Sequence, residues 1–298
     1  MGITVNRFVY GVLVILTTAL MGSSFAIGKI GMGYISPLLL VGLRFTLAGT
    51  VMAILNSRRR LTCTVSDWLR ITTIGLLQTT GVMGSIFISM RTITASESSI
   101  LTFVNPLFVI IFGTAFLGMR YRTVQWIGVI IGCLGVFLAL GLDLHVRAGT
   151  WIGLLGAVSW AFATLLMKRW SNRLDVWILS AYQMLIGGVA TLILAVAVER
   201  PRLDLTVVSV SALVWLVVMG SIVQFTLWFR LLQQRDPAKT SAFLFLAPFF
   251  GILSGWLMLG ETIQWFVAAG SFLIFIGIFL VNWPQAKTGG QGKVDRHT

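Results

Sequence analysis

One stretch of this sequence is written twice. Residues 94–118, TASESSILTFVNPLFVIIFGTAFLG, return as residues 236–260, DPAKTSAFLFLAPFFGILSGWLMLG. Aligned without a gap, Pro106 meets Pro248, Gly118 meets Gly260, Gly128 meets Gly270 and Gly135 meets Gly277, at a constant offset of 142 residues. A match that holds its register over that length marks an internal repeat, and it restricts the fold to one in which two similar units pack together.

Each unit is too apolar for water. Of 298 residues, 57% are hydrophobic and only 10% charged, with a mean hydropathy of +0.94; soluble domains carry about 25% charged residues. Apolar runs long enough to cross a hydrocarbon core of about 30 Å recur from end to end. Ten helices are expected, over residues 8–28, 37–56, 69–90, 95–117, 124–142, 150–170, 176–198, 209–232, 238–259 and 264–283. The first repeat therefore occupies residues 8–142 and the second 150–283, and the Gly- and Lys-containing tail 284–298 is expected to be disordered in the cytoplasm. Arg7, an apolar run and Ser24-Phe25-Ala26 resemble a signal peptide. Removal would leave nine helices and disturb the charge pattern below, so the segment is expected to be retained.

A net charge of +13 raises nucleic acid as a partner, but no polar domain exists to present a basic face, and none is expected to bind. The basic residues sit in the short connectors. With the N-terminus inside, one side carries sixteen: Arg7, Arg58, Arg59, Arg60, Arg70, Arg120, Arg122, Lys168, Arg169, Arg173, Arg230, Arg235, Lys239, Lys287, Lys293 and Arg296. The other carries five, Lys29, Arg91, Arg147, Arg200 and Arg202. Both termini are thus expected in the cytoplasm. Five helices per unit is odd, so the second unit enters the bilayer from the opposite side and the halves are inverted. The charges agree: Arg58, Arg59 and Arg60 follow the second helix, while the balanced ERPRLD of residues 199–204 follows the seventh.

Several functions find no residues to carry them. Cys63 and Cys133 suit neither a disulfide framework nor a thiolate metal site. His145 and His297 lack partners at ligand spacing, so no metal is expected. Gly28, Gly31 and Gly33 are wrongly placed for a nucleotide loop, and no cofactor is expected. No paired acids, histidine cluster or serine with a base lies at depth, so the chain is not expected to be an enzyme.

The motifs resemble the EamA branch of the drug/metabolite transporter superfamily. They are GSSFAIGKI at residues 22–30, PLLLVGLRFTLAG at 37–49, the mid-helix Pro106 and Pro248, and Leu259-Gly260-Glu261 followed by Gly270 and Gly277. Met119 stands where the family often has a glutamate in the first copy, so Glu261 reads as a structural connector residue. The resemblance implies an all-α integral membrane fold of ten transmembrane helices in two inverted five-helix repeats. It also implies a central cavity lined by the first, third, fourth, sixth, eighth and ninth helices, and export of amino acids or related metabolites across the inner membrane. Efflux of lipophilic drugs is the alternative.

For the residues themselves, Pro106 and Pro248 free the carbonyls of Thr102 and Leu244, which suits hinges as well as tolerated kinks. Arg44 is the one charge expected within the bilayer, where ionisable groups default to a role in function. It could meet a substrate carboxylate, helix-end carbonyls or Glu97. The candidate lining is Ser24, Arg44, Gln78, Asn105, Trp160, Gln224 and Trp228, accompanied by Ser23, Thr79, Ser159, Thr164, Ser254 and Trp256. Such a mixed wall suits a small amphipathic solute, although each polar side chain alone could serve helix packing. The expected partners are that solute and the lipid bilayer; a homodimer is left open. Gly128 and Gly132, Gly149 and Gly153, and Gly251 and Gly255 form GxxxG pairs that suit close helix contact.

Overall fold

The computed structural model describes residues 7–57, 64–119, 121–139, 147–170, 175–234, 246–281 and 283, and among these it is all-helical. The rods, in chain order, are α1 (Arg7–Met32), α2 (Pro37–Leu55) and α3, made of Val65–Gly75, Leu76–Met83 and Gly84–Ser89 end to end. Then come α4, made of Ala95–Thr102 and Asn105–Leu117, α5 (Thr123–Ala139), α6 (Ala148–Trp170) and α7 (Val176–Val198). The last are α8, made of Val207–Val217, Val218–Val223 and Gln224–Gln234, α9 (Leu246–Leu259) and α10 (Trp265–Val281). Seven of these rods are long and apolar enough to cross a membrane, and α5, α9 and α10 are shorter apolar helices among the described residues. The expected tail 284–298, Leu244 and most of the inner basic connectors lie outside the described residues.

Local conformation repeats at the same spacing as the sequence. Thr64 and Thr206 each close a capping box at the start of α3 and α8, satisfying two orphan donors of a first turn. Further along, α3 and α8 each loosen into a π-helical stretch, beginning at Leu76 and Val218. Gly118 and Gly260, which end α4 and α9, hold φ of +60° and +65°, a left-handed turn that costs any other L-residue about 1–2 kcal/mol. All three pairs are 142 residues apart.

The packing pairs helices across the two copies. A Cβ on Gly128 of α5 would lie 2.7 Å from the Gly277 carbonyl of α10, and one on Gly135 would lie 2.8 Å from the Gly270 carbonyl. Residue numbers rise on one helix as they fall on the other, so α5 and α10 are antiparallel. The same holds for α2 and α7, where Gly42 meets Leu192 and Gly188 meets Thr46. Small residues let these backbones approach where lipid offers no hydrophobic drive for association. The GxxxG glycines serve such contacts: Gly251 of α9 faces Ser99 of α4 and Gly149 of α6 faces Ser89 of α3.

Sequence reading missed two local features and anticipated a third, the interruption of α4 at Pro106. α1 continues past Gly28 to Met32, since glycine is tolerated inside a membrane helix packed on its neighbours. The break in α4 falls at Phe103 and Val104, one turn before Leu107, because Pro106 has no N–H to return to Thr102. The π stretches of α3 and α8 were not anticipated; each widens the turn and rotates everything beyond it relative to a 3.6-residue period.

Candidate substrate cavity

Where α1, α2, α3, α4, α6 and α8 converge, the side chains leave a cavity bordered by Met21, Ser24, Phe25, Arg44, Met83, Ile86, Phe87, Thr102, Phe103, Trp160, Gln224 and Phe225. Both copies contribute walls. The space open to the centre of a water-sized sphere is about 50 Å³, and one water needs about 10–15 Å³ of that measure. A few waters fit, so a drug-sized molecule would require the helices to part. The break in α4 turns Thr102 and Phe103 to the cavity, and Phe103 stands edge-on to Trp160 with ring centroids 5.6 Å apart.

Arg44 supplies the charge. It is 3% exposed; Nε donates to Ser221 Oγ at 2.9 Å and Nη2 to the Gly220 carbonyl at 2.6 Å. Gly220 and Ser221 lie in the π stretch of α8, where N–H groups reach five residues back and leave carbonyls open to other donors. The stretch in α3 is used likewise, its Leu77 carbonyl accepting from Ser159 Oγ at 2.9 Å. Glu97, considered above as a partner for Arg44, instead closes the capping box of α4 with Thr94.

Of the seven lining candidates, Ser24, Arg44, Trp160 and Gln224 border the cavity, whereas Gln78, Asn105 and Trp228 do not. Along their helices Gln78 lies five residues before Met83, Asn105 two after Phe103 and Trp228 three after Phe225. Gln78 holds a buried Oε1 with no partner among the described residues. Trp256 is 53% exposed and faces outward; α9 borders the cavity nowhere among the described residues, and α2 replaces it through Arg44. Pro248 is buried in the first turn of α9.

The family model for the EamA-like transporter family matches the chain twice, over residues 9–141 and 147–283. The chain belongs to the EamA-like transporter family. It is similar to the uncharacterized transporter YoaV of Bacillus subtilis, 25% identical, covering 90% of this chain and 94% of that one. It is also similar to the uncharacterized inner membrane transporter YedA of Escherichia coli K12, 26% identical over 82% and 80% of the two chains. A probable amino-acid metabolite efflux pump of Salmonella typhimurium is 23% identical over 91% and 93%. One protein crystal structure aligns with a TM-score of 0.66 and 19% identity, covering 92% of this chain and 96% of that one, a likeness of fold. The chain is a multi-pass membrane transporter of the drug/metabolite type.

In this EamA-like chain the helix ends are tied together on one face, the one where α1 ends and α4 begins. The Glu261 carboxylate, from the connector after α9, accepts from Ala95 N at 2.7 Å, Ser96 N at 3.0 Å and Ser96 Oγ at 2.6 Å. It caps the first turn of α4, where a helix dipole favours negative charge, and Lys29 Nζ stands 4.0 Å away. Glu199, after α7, does the same for α2 through Leu38 N at 3.0 Å, and pairs with Arg91. Arg202 donates to the Gly33 carbonyl, while Ile35 and Leu203 form a β-bridge between the connectors. The six described acids, Asp67, Glu97, Asp175, Glu199, Asp204 and Glu261, all lie at helix ends or in connectors. Sequence reading also passed over the apolar lining of Met21, Phe25, Met83, Ile86, Phe87 and Phe225, because in a membrane protein such residues signal lipid as readily as a cavity.

Proposed function

We propose that this chain exports small metabolites, amino acids or related amphipathic compounds, across the inner membrane by alternating access, with ten spanning helices in two inverted five-helix repeats. The observation that carries this reading is a cavity whose walls come from both copies, accompanied by helix ends tied together on one face. Antiparallel pairing of α2 with α7 and of α5 with α10 supports the inversion, as does recurrence of caps, π stretches and left-handed glycines at one offset. The relative named a probable amino-acid metabolite efflux pump and the small size of the cavity favour metabolites over lipophilic drugs. The charge balance of the connectors makes the tied face the outer one and leaves both termini in the cytoplasm.

The decisive experiment is reconstitution in liposomes, with saturable counterflow of labelled amino acids and other metabolites measured with and without a pH gradient. Flux of amphipathic metabolites is expected. Drug resistance on overexpression, with no metabolite flux, would replace this reading by drug efflux. For the topology, single cysteines at Ser57 and Arg200, in a background lacking Cys63 and Cys133, should label from opposite sides of the membrane; labelling from one side overturns the inversion.

Alternating access needs bends that both copies share, and Pro106 and Pro248 are the proposed hinges. Restoring the missing donor at Pro106 with alanine would close the break in α4, and Pro248 is the matching position on α9. The double variant Pro106→Ala, Pro248→Ala is expected to slow counterflow about tenfold, equivalent to ~1.4 kcal/mol on the conformational step, without loss of expression. Unchanged rates would remove the hinge role.

A further inference from the structure

The cavity is chemically one-sided. An arginine has five N–H donors, and the bonds from Arg44 to Ser221 Oγ and the Gly220 carbonyl use two of them. Nη1 has no hydrogen-bond partner, and no acid pairs with Arg44, among the described residues. Both partners are neutral, so they fix the orientation of the guanidinium and leave its charge uncancelled; the contact of Cζ with the Phe45 ring, 4.8 Å from the centroid, offsets only part of it. A buried charge without a counter-ion is costly, and inside a membrane it marks a site.

The other polar groups at the cavity reinforce that sign. The Gln224 amide, 7% exposed, and the Trp160 indole N–H donate to no protein group among the described residues, and both border the same space. Ser24 and Thr102 spend their hydroxyl protons on the Leu20 and Ser98 carbonyls. No described acid borders the cavity to receive an ammonium group. What remains is aromatic and aliphatic surface, which suits a hydrocarbon tail.

We infer that Arg44 seats the carboxylate of the transported solute, and that the substrate class is a small monocarboxylate with an apolar tail, for which an amino group is dispensable. This rests on the carrier reading above. The unpaired Nη1 meets one carboxylate oxygen in a charge-assisted hydrogen bond, and the donors of Gln224 and Trp160 are available to the other. Export then releases an anion from a site whose positive charge stays on the protein.

The test compares solutes that differ at one group. In liposomes at neutral pH, leucine, its 2-oxo acid, leucinamide and isopentylamine are offered in turn to the wild-type protein. Both carboxylates should be transported, and the amide and the amine should compete at least tenfold less well. In Arg44→Gln the KM for both carboxylates should rise tenfold or more, and Arg44→Lys, which keeps the charge but not the fork, should fall between. The wild-type competition series stands by itself, independent of whether Arg44→Gln folds. Transport of none of the metabolites would sink the carrier reading. Amide or amine handled as well as the acids, an unchanged KM in a folded Arg44→Gln, or inhibition by chloride but not by carboxylates would overturn the Arg44 assignment while leaving the carrier intact.

Discussion

Glu261→Ala is expected to lower the thermal stability of the protein and open its tied face. The carboxylate is 10% exposed and holds Ala95 N, Ser96 N and Ser96 Oγ at 2.7, 3.0 and 2.6 Å. Hydrogen bonds to a charged group contribute about 1.5–3 kcal/mol each. They act as a unit here, because α4 keeps its own capping box through Thr94 and Glu97, so the loss should be about 3–4 kcal/mol rather than the sum. The Lys29 ammonium, 4.0 Å away, adds little at that distance and 31% exposure. Glu261→Gln, which keeps an acceptor oxygen but loses the charge, should fall midway. If the tied face is the gate, a cysteine at Thr102 should react faster with a membrane-impermeant reagent from outside in Glu261→Ala. A melting temperature and labelling rate equal to wild type would show that the cap closes nothing.

The second large effect is expected at the α5–α10 seam. In Gly277→Leu the new Cβ would lie 2.6 Å from the Gly128 carbonyl and 2.7 Å from Gly132 N and Cα. Those atoms are backbone and cannot rotate away, so the helices must separate along the stretch that also holds Gly135 and Gly270. Overpacking a core costs about 1–3 kcal/mol where side chains yield; against two backbones the cost exceeds that range. Gly277→Leu should reach the membrane poorly and elute from size exclusion in detergent as aggregate. Gly118→Ala is the informative contrast. A Cβ there meets nothing within 4 Å, and only the φ of +60° opposes it, so a loss of about 1–2 kcal/mol with normal elution is expected. A well-behaved Gly277→Leu protein would mean that close approach of these helices is dispensable.

The two predictions concern residues that the sequence reads with unequal clarity. Gly277 announces itself because it repeats Gly135 at the 142-residue offset and lies in an apolar run, where glycine has few uses besides close packing. Glu261 reads only as a connector residue. Its partners are 165 and 166 positions away, and no local pattern points to them. The same divide runs through the cavity. Ser24, Arg44, Trp160 and Gln224 border it, while Gln78, Asn105 and Trp228 do not, and only the packing of the helices separates the two sets.

The sequence by itself determined the membrane environment, the approximate helices and the internal repeat, since hydropathy, connector charge and spacing are properties of consecutive residues. Only the tertiary structure decided which residues share the cavity, that α2 enters it and, among the described residues, α9 does not, and that Arg44 rests on a π-turn carbonyl instead of Glu97. Those outcomes depend on how a few irregular turns rotate one helix against another, and rotation about a helix axis is set by the neighbours packed on it rather than by the residues it contains.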